Sequence, residues 1–343
     1  MKKILALALS AALAIGIAGC SNPGASSTPN TPSTPGTSGT QPGGSAPQNG
    51  GSASLIFTLP TGSMGGSYYS SGTAMAQIFN TYVDGMEMSV SASNSQDNIG
   101  MLESGEVNFA MASGSDYVSV MEDEPINSTT ICSMGVFNQN VSLIAVSGKS
   151  GYQSLNDLKG QKIQMGASGS GQYLLNAALI EALGLTTNDY QPEYMNQNDG
   201  TQAFIEGKVE ANMIASGVPS ALLTQMRASD PDYRILTWDD AFLDKFLETY
   251  SYYKVCTVEP EELDCGSVTE AVRLPAFYGE LLVRADVDEE VVYNMCKAMY
   301  DNHEELVAAY AGCGFCTPEH AVEFTSYNLH PGAARYFTEI GVL

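Results

Sequence analysis

A weak internal repeat limits this chain more than any single motif. The first copy opens with an apolar strand at 54–59 (SLIFTL) and a Gly/Ser loop at 61–67 (TGSMGGS). The helix that follows places Met75, Ile78, Phe79 and Tyr82 at i, i+3, i+4 and i+7, one apolar face. The second copy has the strand 162–165 (KIQM), the loop 166–171 (GASGSG) and a helix over 172–183 stopped by Gly184. Each copy continues with a short helix ending in glycine and then a strand: 98–105 and 107–112 in the first, 201–207 and 209–215 in the second. Gly66 and Gly171 lie 105 residues apart, and Gly105 and Gly207 lie 102 apart. Offsets this close predict two similar α/β lobes. Strand, helix, strand order at these lengths predicts parallel sheets with right-handed crossovers. Ligands of such sheets collect at the carboxyl ends of the strands, where both loops lie.

The N-terminus predicts export. Lys2 and Lys3 precede an apolar run at 4–18, too short for a comfortable membrane span. Ile17-Ala18-Gly19-Cys20 resembles the lipobox of bacterial lipoproteins, so residues 1–19 read as a signal peptide and Cys20 as the lipidated mature N-terminus. Residues 21–51 carry no charge and no large apolar side chain; nothing there offsets the entropy of ordering, so 20–51 reads as an anchored tether. The expected location is extracytoplasmic, attached to the membrane by lipid.

Composition excludes several classes. Lys and Arg number 14 against 38 Asp and Glu, a formal charge of −24 that repels polyanions, so nucleic acid is not an expected partner. Cys132, Cys256, Cys265, Cys296, Cys313 and Cys316 are even in number, which permits disulfides outside the cell and equally permits free thiols. Cys313-Gly-Phe-Cys316 with His320 falls short of a four-ligand zinc site, so no metal and no cofactor is expected. Neither Gly-rich loop spells GxGxxG in register, there is no GxxxxGK[ST] phosphate cradle, and no GxSxG elbow surrounds Ser63, Ser115, Ser168 or Ser170.

Four segments together resemble the TAXI-type solute receptors of TRAP transporters. The opening motif of that family, roughly TGGTGGxYYPxGxxxA, is similar to residues 61–72; its GSGT loop resembles 169–172, its GVP turn 217–219, and its HPGAxRYY segment 330–337. Here Ser63-Met64 replaces a Gly-Thr pair, and the Thr-x-Gly-Ser-x-x-Asn segment is loosely kept around 91–98 with Asn98 as its anchor. The resemblance implies a type II periplasmic-binding-protein fold, with lobe one at 54–147 plus 265–343 and lobe two at 148–264. It also implies a monomer that delivers a small carboxylate, such as a glutamate-like amino acid, a dicarboxylate or a keto acid, to TRAP membrane subunits.

The expected ligand-binding residues are Ser63, Met64, Gly66, Tyr69, Asn98, Ser115, Ser168, Ser170, Gly171, Gln172 and Gly217. Helix N-termini carry unpaired N–H groups and partial positive charge, so a carboxylate fits there without an arginine. Helix capping alone explains one Ser-rich loop; two loops at equivalent places in a repeat favour a ligand. Tyr68 and Tyr69 either meet the ligand or bury in the helix face, Asp116 either lines the cleft or caps a helix, and His330 and Arg335 read as structural. No paired nucleophile and base is found, so catalysis is not expected; the competing class is a lipid-anchored extracellular α/β enzyme acting on a small metabolite.

Overall fold

Apolar strands alternating with one-faced helices produce the first half of the repeat. In the computed structural model, which describes residues 54–122 and 126–343, β1 (Leu55–Pro60) leads through the Gly/Ser loop into α1 (Ser67–Tyr82), and β2 (Met86–Ser91) returns parallel to β1. The signal segment 1–19, Cys20 and the tether lie outside the described residues. Met75, Ile78 and Phe79 are buried as the spacing predicts, each worth about 1.5–3 kcal/mol as an upper bound. Tyr82 is the exception: it sits at the rim, 43% exposed, and donates its hydroxyl to the Glu305 carboxylate.

Next come α2 (Ser95–Ser104), β3 (Phe109–Ser113), α3 (Gly114–Met121) and the long β4 (Ile131–Val146). The second copy follows as β5 (Lys162–Gln164), α4 (Gly171–Ala182), β6 (Gln191–Glu193), α5 (Gln197–Ile205) and β7 (Ala211–Ser216). After it run α6 (Ala221–Ser229), β8 (Arg234–Leu236), α7 (Asp240–Thr249), β9 (Lys254–Val258) and a second long strand, β10 (Val272–Arg284). The chain closes with α8 (Glu289–Asp301), α9 (His303–Ala309), α10 (Pro318–Glu323) and α11 (Pro331–Glu339).

The prediction of parallel sheets holds for β1–β2 and for β5 with β6 and β7, and fails elsewhere. The larger sheet runs β3-β10-β4-β7-β5-β6, and every strand that pairs β4 or β10 does so antiparallel, an isolated parallel bridge joining Ser133 of β4 to Leu329. These two strands serve both halves. The start of β4 pairs β10 from Ile131 opposite Arg284, and its end pairs β7 from Val141 opposite Ser216. β10 pairs β9 over Val272–Ala276 and β3 over Gly279–Val283, with register shifts at Gly279/Glu280 and Leu281/Leu282. Irregularities of this kind re-aim side chains beside a site.

Side chains alternate across the shared strands into different cores. Leu143 and Ile214 face one cluster with Phe204, Leu223 and Met226; Ile144 and Met213 face another with Leu158, Ile163 and Ile180. Trp238, the only tryptophan, packs against these two and against the largest cluster, built around α1, α8 and α11. Glu280, fully buried on β10, accepts from Ser133 Oγ at 2.7 Å, Thr325 Oγ1 at 2.6 Å and Ser326 N at 2.8 Å, tying both long strands to the 325–326 segment. His330 caps α11 by accepting from Gly332 N at 3.2 Å, and Arg335 lies 3.9 Å over the Tyr293 ring while pairing with Glu290 at 2.7 Å.

Candidate functional site

Four helices begin at one cavity. It holds about 490 Å³ of empty space, part of it open to solvent, and is lined by Gly62, Ser63 and Gly66 of the first loop, Ser67 and Tyr68 of α1, Ser95 of α2, and Ala167, Ser170, Gly171 and Gln172 at the second loop and α4. Asn196 and Gln197 at the start of α5 and Asn140 and Phe277 from the two shared strands complete it. None of these residues carries a charge. The N-termini of α1, α2, α4 and α5 therefore supply the site's electrostatics through backbone N–H groups. α1 is the most available: Gly66 at its N-cap offers no side chain, whereas Asn94, Ser170 and Asn196 each accept one N–H of their own helix.

Tyr68 in the lining and Asp116 near it, outside the lining, each bury a polar atom without a partner. Tyr68 is 8% exposed, stacks edge-on against Phe137 at 5.0 Å, and its hydroxyl lies near Asn140 without a well-formed hydrogen bond. Burial, and then Asp116 and Glu280 nearby, push its phenol pKa up. Asp116 forms a capping box with Ser113, accepting from Ser113 N at 2.8 Å and Oγ at 2.7 Å through Oδ2, while Oδ1 has no partner. Burial raises its pKa to about 7, against the lowering effect of Ser113. Burial likewise raises Glu280.

Of the residues named from sequence, Ser63, Gly66, Ser170, Gly171 and Gln172 line the cavity. Ser63 has a free hydroxyl among the described residues. Ser170 does not offer its proton to a ligand: Oγ donates to Ala167 O at 2.6 Å and accepts from Tyr173 N at 3.2 Å, so it is a helix cap. Gln172 presents its stem, because Nε2 donates to Met213 O at 2.8 Å and to Gln164 Oε1 at 3.2 Å. Gly171 sits so close to Phe277 that a Cβ would meet the ring at 2.8 Å.

The structure places the other expected residues outside this cavity's lining. Asn98 is fully buried behind the loop, where Nδ2 donates to Thr61 O and Met111 O, each at 2.7 Å, clamping the end of β1 to β3. Asn176 does the same in the second copy, donating to Met165 O at 3.1 Å and Met213 O at 2.7 Å. Ser115 is buried against Ser113 Oγ at 2.8 Å. Met64 is 70% exposed, Ser168 and Gly217 are exposed, and Tyr69 is half-buried; all four lie outside the lining. Tyr68 takes the place expected of Tyr69. Asn140, Asn196, Gln197 and Phe277 escaped the sequence reading. A signal for two of them was present: Asn94-Ser-Gln-Asp97 and Asn196-Gln-Asn-Asp199 are the same cap, 102 residues apart.

The six cysteines described are free thiols, and Cys313 and Cys316 are fully buried. Burial pushes Cys313 up to about 11 and Cys316 up as well, so neither is poised as a thiolate. His320 stacks on Phe315 at 4.1 Å and bonds its carbonyl through Nδ1 at 3.0 Å.

Two α/β halves that share two long strands around a cleft define a two-lobed periplasmic-binding-protein fold. The chain belongs to the NMT1-like family, whose profile matches residues 59–341. A protein of Escherichia coli strain K12, provisionally named an aliphatic sulfonates-binding protein, is 32% identical over 133 residues, 37% of this chain and 38% of that relative. The match thus spans well under half of the relative's length. Among solved structures, the periplasmic aliphatic sulphonate binding protein SsuA from Escherichia coli aligns at 16% identity and a TM-score of 0.43, covering 82% of this chain and 78% of that one. The alkanesulfonate-binding protein SsuA from Xanthomonas axonopodis pv. citri, bound to MOPS, aligns at 14% and 0.45, covering 84% and 85%.

Proposed function

We propose that this protein is an extracytoplasmic receptor that captures one small organic anion in the cleft and delivers it to the membrane subunits of a transporter. The observation that carries this reading is the convergence of four helix N-termini on a cavity lined only by neutral residues. Backbone N–H groups at helix starts favour a fixed negative charge, and the lining offers no acid, base or nucleophile pair for turnover. Ser63, Gly66, Tyr68 and Gly171 are the residues we place against the anion.

In its finer form the solute is a carboxylate, the transporter is of the TRAP type and the receptor a TAXI-type one, in line with the motifs at 61–72, 169–172, 217–219 and 330–337. Lipid attachment at Cys20 holds the protein at the membrane. The lobes are 54–147 with 265–343 and 148–264, refined so that the exchange falls inside the shared strands, near Gln139 and Ala276, where β4 and β10 change neighbours. A sulfonate is the second reading, favoured by what the relatives are named for.

Thermal unfolding with glutarate, 2-oxoglutarate, glutamate and methanesulfonate, each beside the amide that removes its anionic charge, tests this. A true solute at ~100 times its dissociation constant adds about 2.7 kcal/mol, several degrees of melting temperature for a body of this size. The anion should stabilise and the amide should not. Equal stabilisation by both, or conversion of the solute during incubation, would overturn the reading.

A further inference from the structure

The two Gly/Ser loops do more than border the cavity: each reaches the opposite half. Asn198 Nδ2, at the start of α5, donates to Gly65 O at 2.6 Å, and the backbone N–H of Gln96, at the start of α2, donates to Gly169 O at 3.4 Å. The pairs are equivalent under the repeat. Gln96 and Asn198 lie 102 residues apart, each the second residue of its helix, and Gly65 and Gly169 lie 104 apart, each directly before the N-cap of the loop's own helix. Both glycines have positive φ, +81° and +73°, a conformation that turns the carbonyl outward and that residues with a Cβ rarely adopt. The Gln96 side chain is engaged elsewhere, Nε2 donating to Ser119 Oγ at 2.6 Å, so its contribution across the cleft is the backbone N–H alone.

We propose that these reciprocal contacts are a two-point latch, and that Asn198 is an affinity-determining residue that never touches the solute. The proposal rests on the receptor reading only in supposing that the cleft opens. In an opened cleft each donor returns to water; in the closed one, each links a loop of one half to a helix start of the other. The latch therefore stabilises closure, with or without solute, and acts on the dissociation rate, since a bound molecule leaves only through the open form. Neither contact lies in the cavity lining, which separates the latch from the groups that select the solute.

Closure has a direct reporter. Hinge opening separates the halves and enlarges the molecule, so small-angle scattering of the solute-free full chain reads the balance of open and closed forms. Asn198→Ala should shift that balance toward the larger radius roughly twofold to tenfold, as for one lost hydrogen bond, and the exposed control Lys159→Ala should leave it unchanged. With methanesulfonate and 2-oxoglutarate as probes, Asn198→Ala should weaken binding by the same factor through faster dissociation, with association unchanged. A solute-free radius that ignores Asn198→Ala overturns the latch. If scattering behaves as expected and neither probe binds the wild-type chain, the latch stands and the assigned solute class fails instead.

Discussion

Asp116 holds a carboxyl group where its charge is poorly received. Its Oδ2 caps α3, but Oδ1 meets no donor, and the ionisable groups around it are Tyr68, Glu280, Tyr253 and Tyr327, none of them a cation. Its carboxyl rises to about 7 in the fold from 3.8 when unperturbed. Between these values the folded chain binds a proton that the unfolded chain has released. Stability from this group is thus complete below about pH 4 and is lost as pH rises through 7, by at most about 4 kcal/mol. Glu280 shifts in the same direction and adds to the trend. Asp116→Asn keeps an acceptor for Ser113 and cannot ionise. Urea unfolding at pH 5 and pH 8 should show the wild type losing more stability between the two than Asp116→Asn does; parallel loss in both would place the proton elsewhere.

At the scale of elements, Ser170 illustrates how far the repeat could be read. Its place before α4 was legible, because Ser followed by an apolar helix is a cap signal; its hydroxyl as a ligand donor was not supported, because only coordinates show the proton directed to Ala167 O. Ser170→Ala should lower unfolding stability by about 1 kcal/mol, the usual cost of a lost cap, and change solute affinity by less than Ser63→Ala does. A loss of affinity exceeding that from Ser63→Ala would return Ser170 to the ligand. Tyr68 and Tyr69 show a related limit: adjacent helical residues point about 100° apart, and sequence gives the pair without the phase that turns Tyr68 inward. The long strands were the least legible. Asn138, Asn140 and Ser142 interrupt the apolar pattern of β4, and its partner on β10 lies more than a hundred residues away, as Ser133 bonded to Glu280 shows. Such polar residues buried in a strand make sense only once the cleft above them is known.

For the whole molecule, charge and site oppose each other. The chain carries a formal −24, yet the cavity proposed to take an anion has a neutral lining and four helix starts directed at it. The surface acids act at a distance and through water, so salt weakens them; the helix N–H groups act at contact, where salt has little access. An anionic solute must therefore cross a repulsive outer field before meeting an attractive inner one. In ~0.01 M salt the Debye length is about 30 Å and the repulsion extends over the approach to the cleft; at ~0.15 M it is about 8 Å and most of the approach is screened. The association rate of an anionic solute should accordingly rise between those salt concentrations, the reverse of a site guarded by arginines, while the dissociation rate stays nearly constant. Stopped-flow recording of Trp238 fluorescence, which reports from the junction of the three cores, gives both rates. An association rate that falls as salt is added would mean that cations outside the described cavity guide the solute in, and the helix starts would no longer account for anion capture on their own.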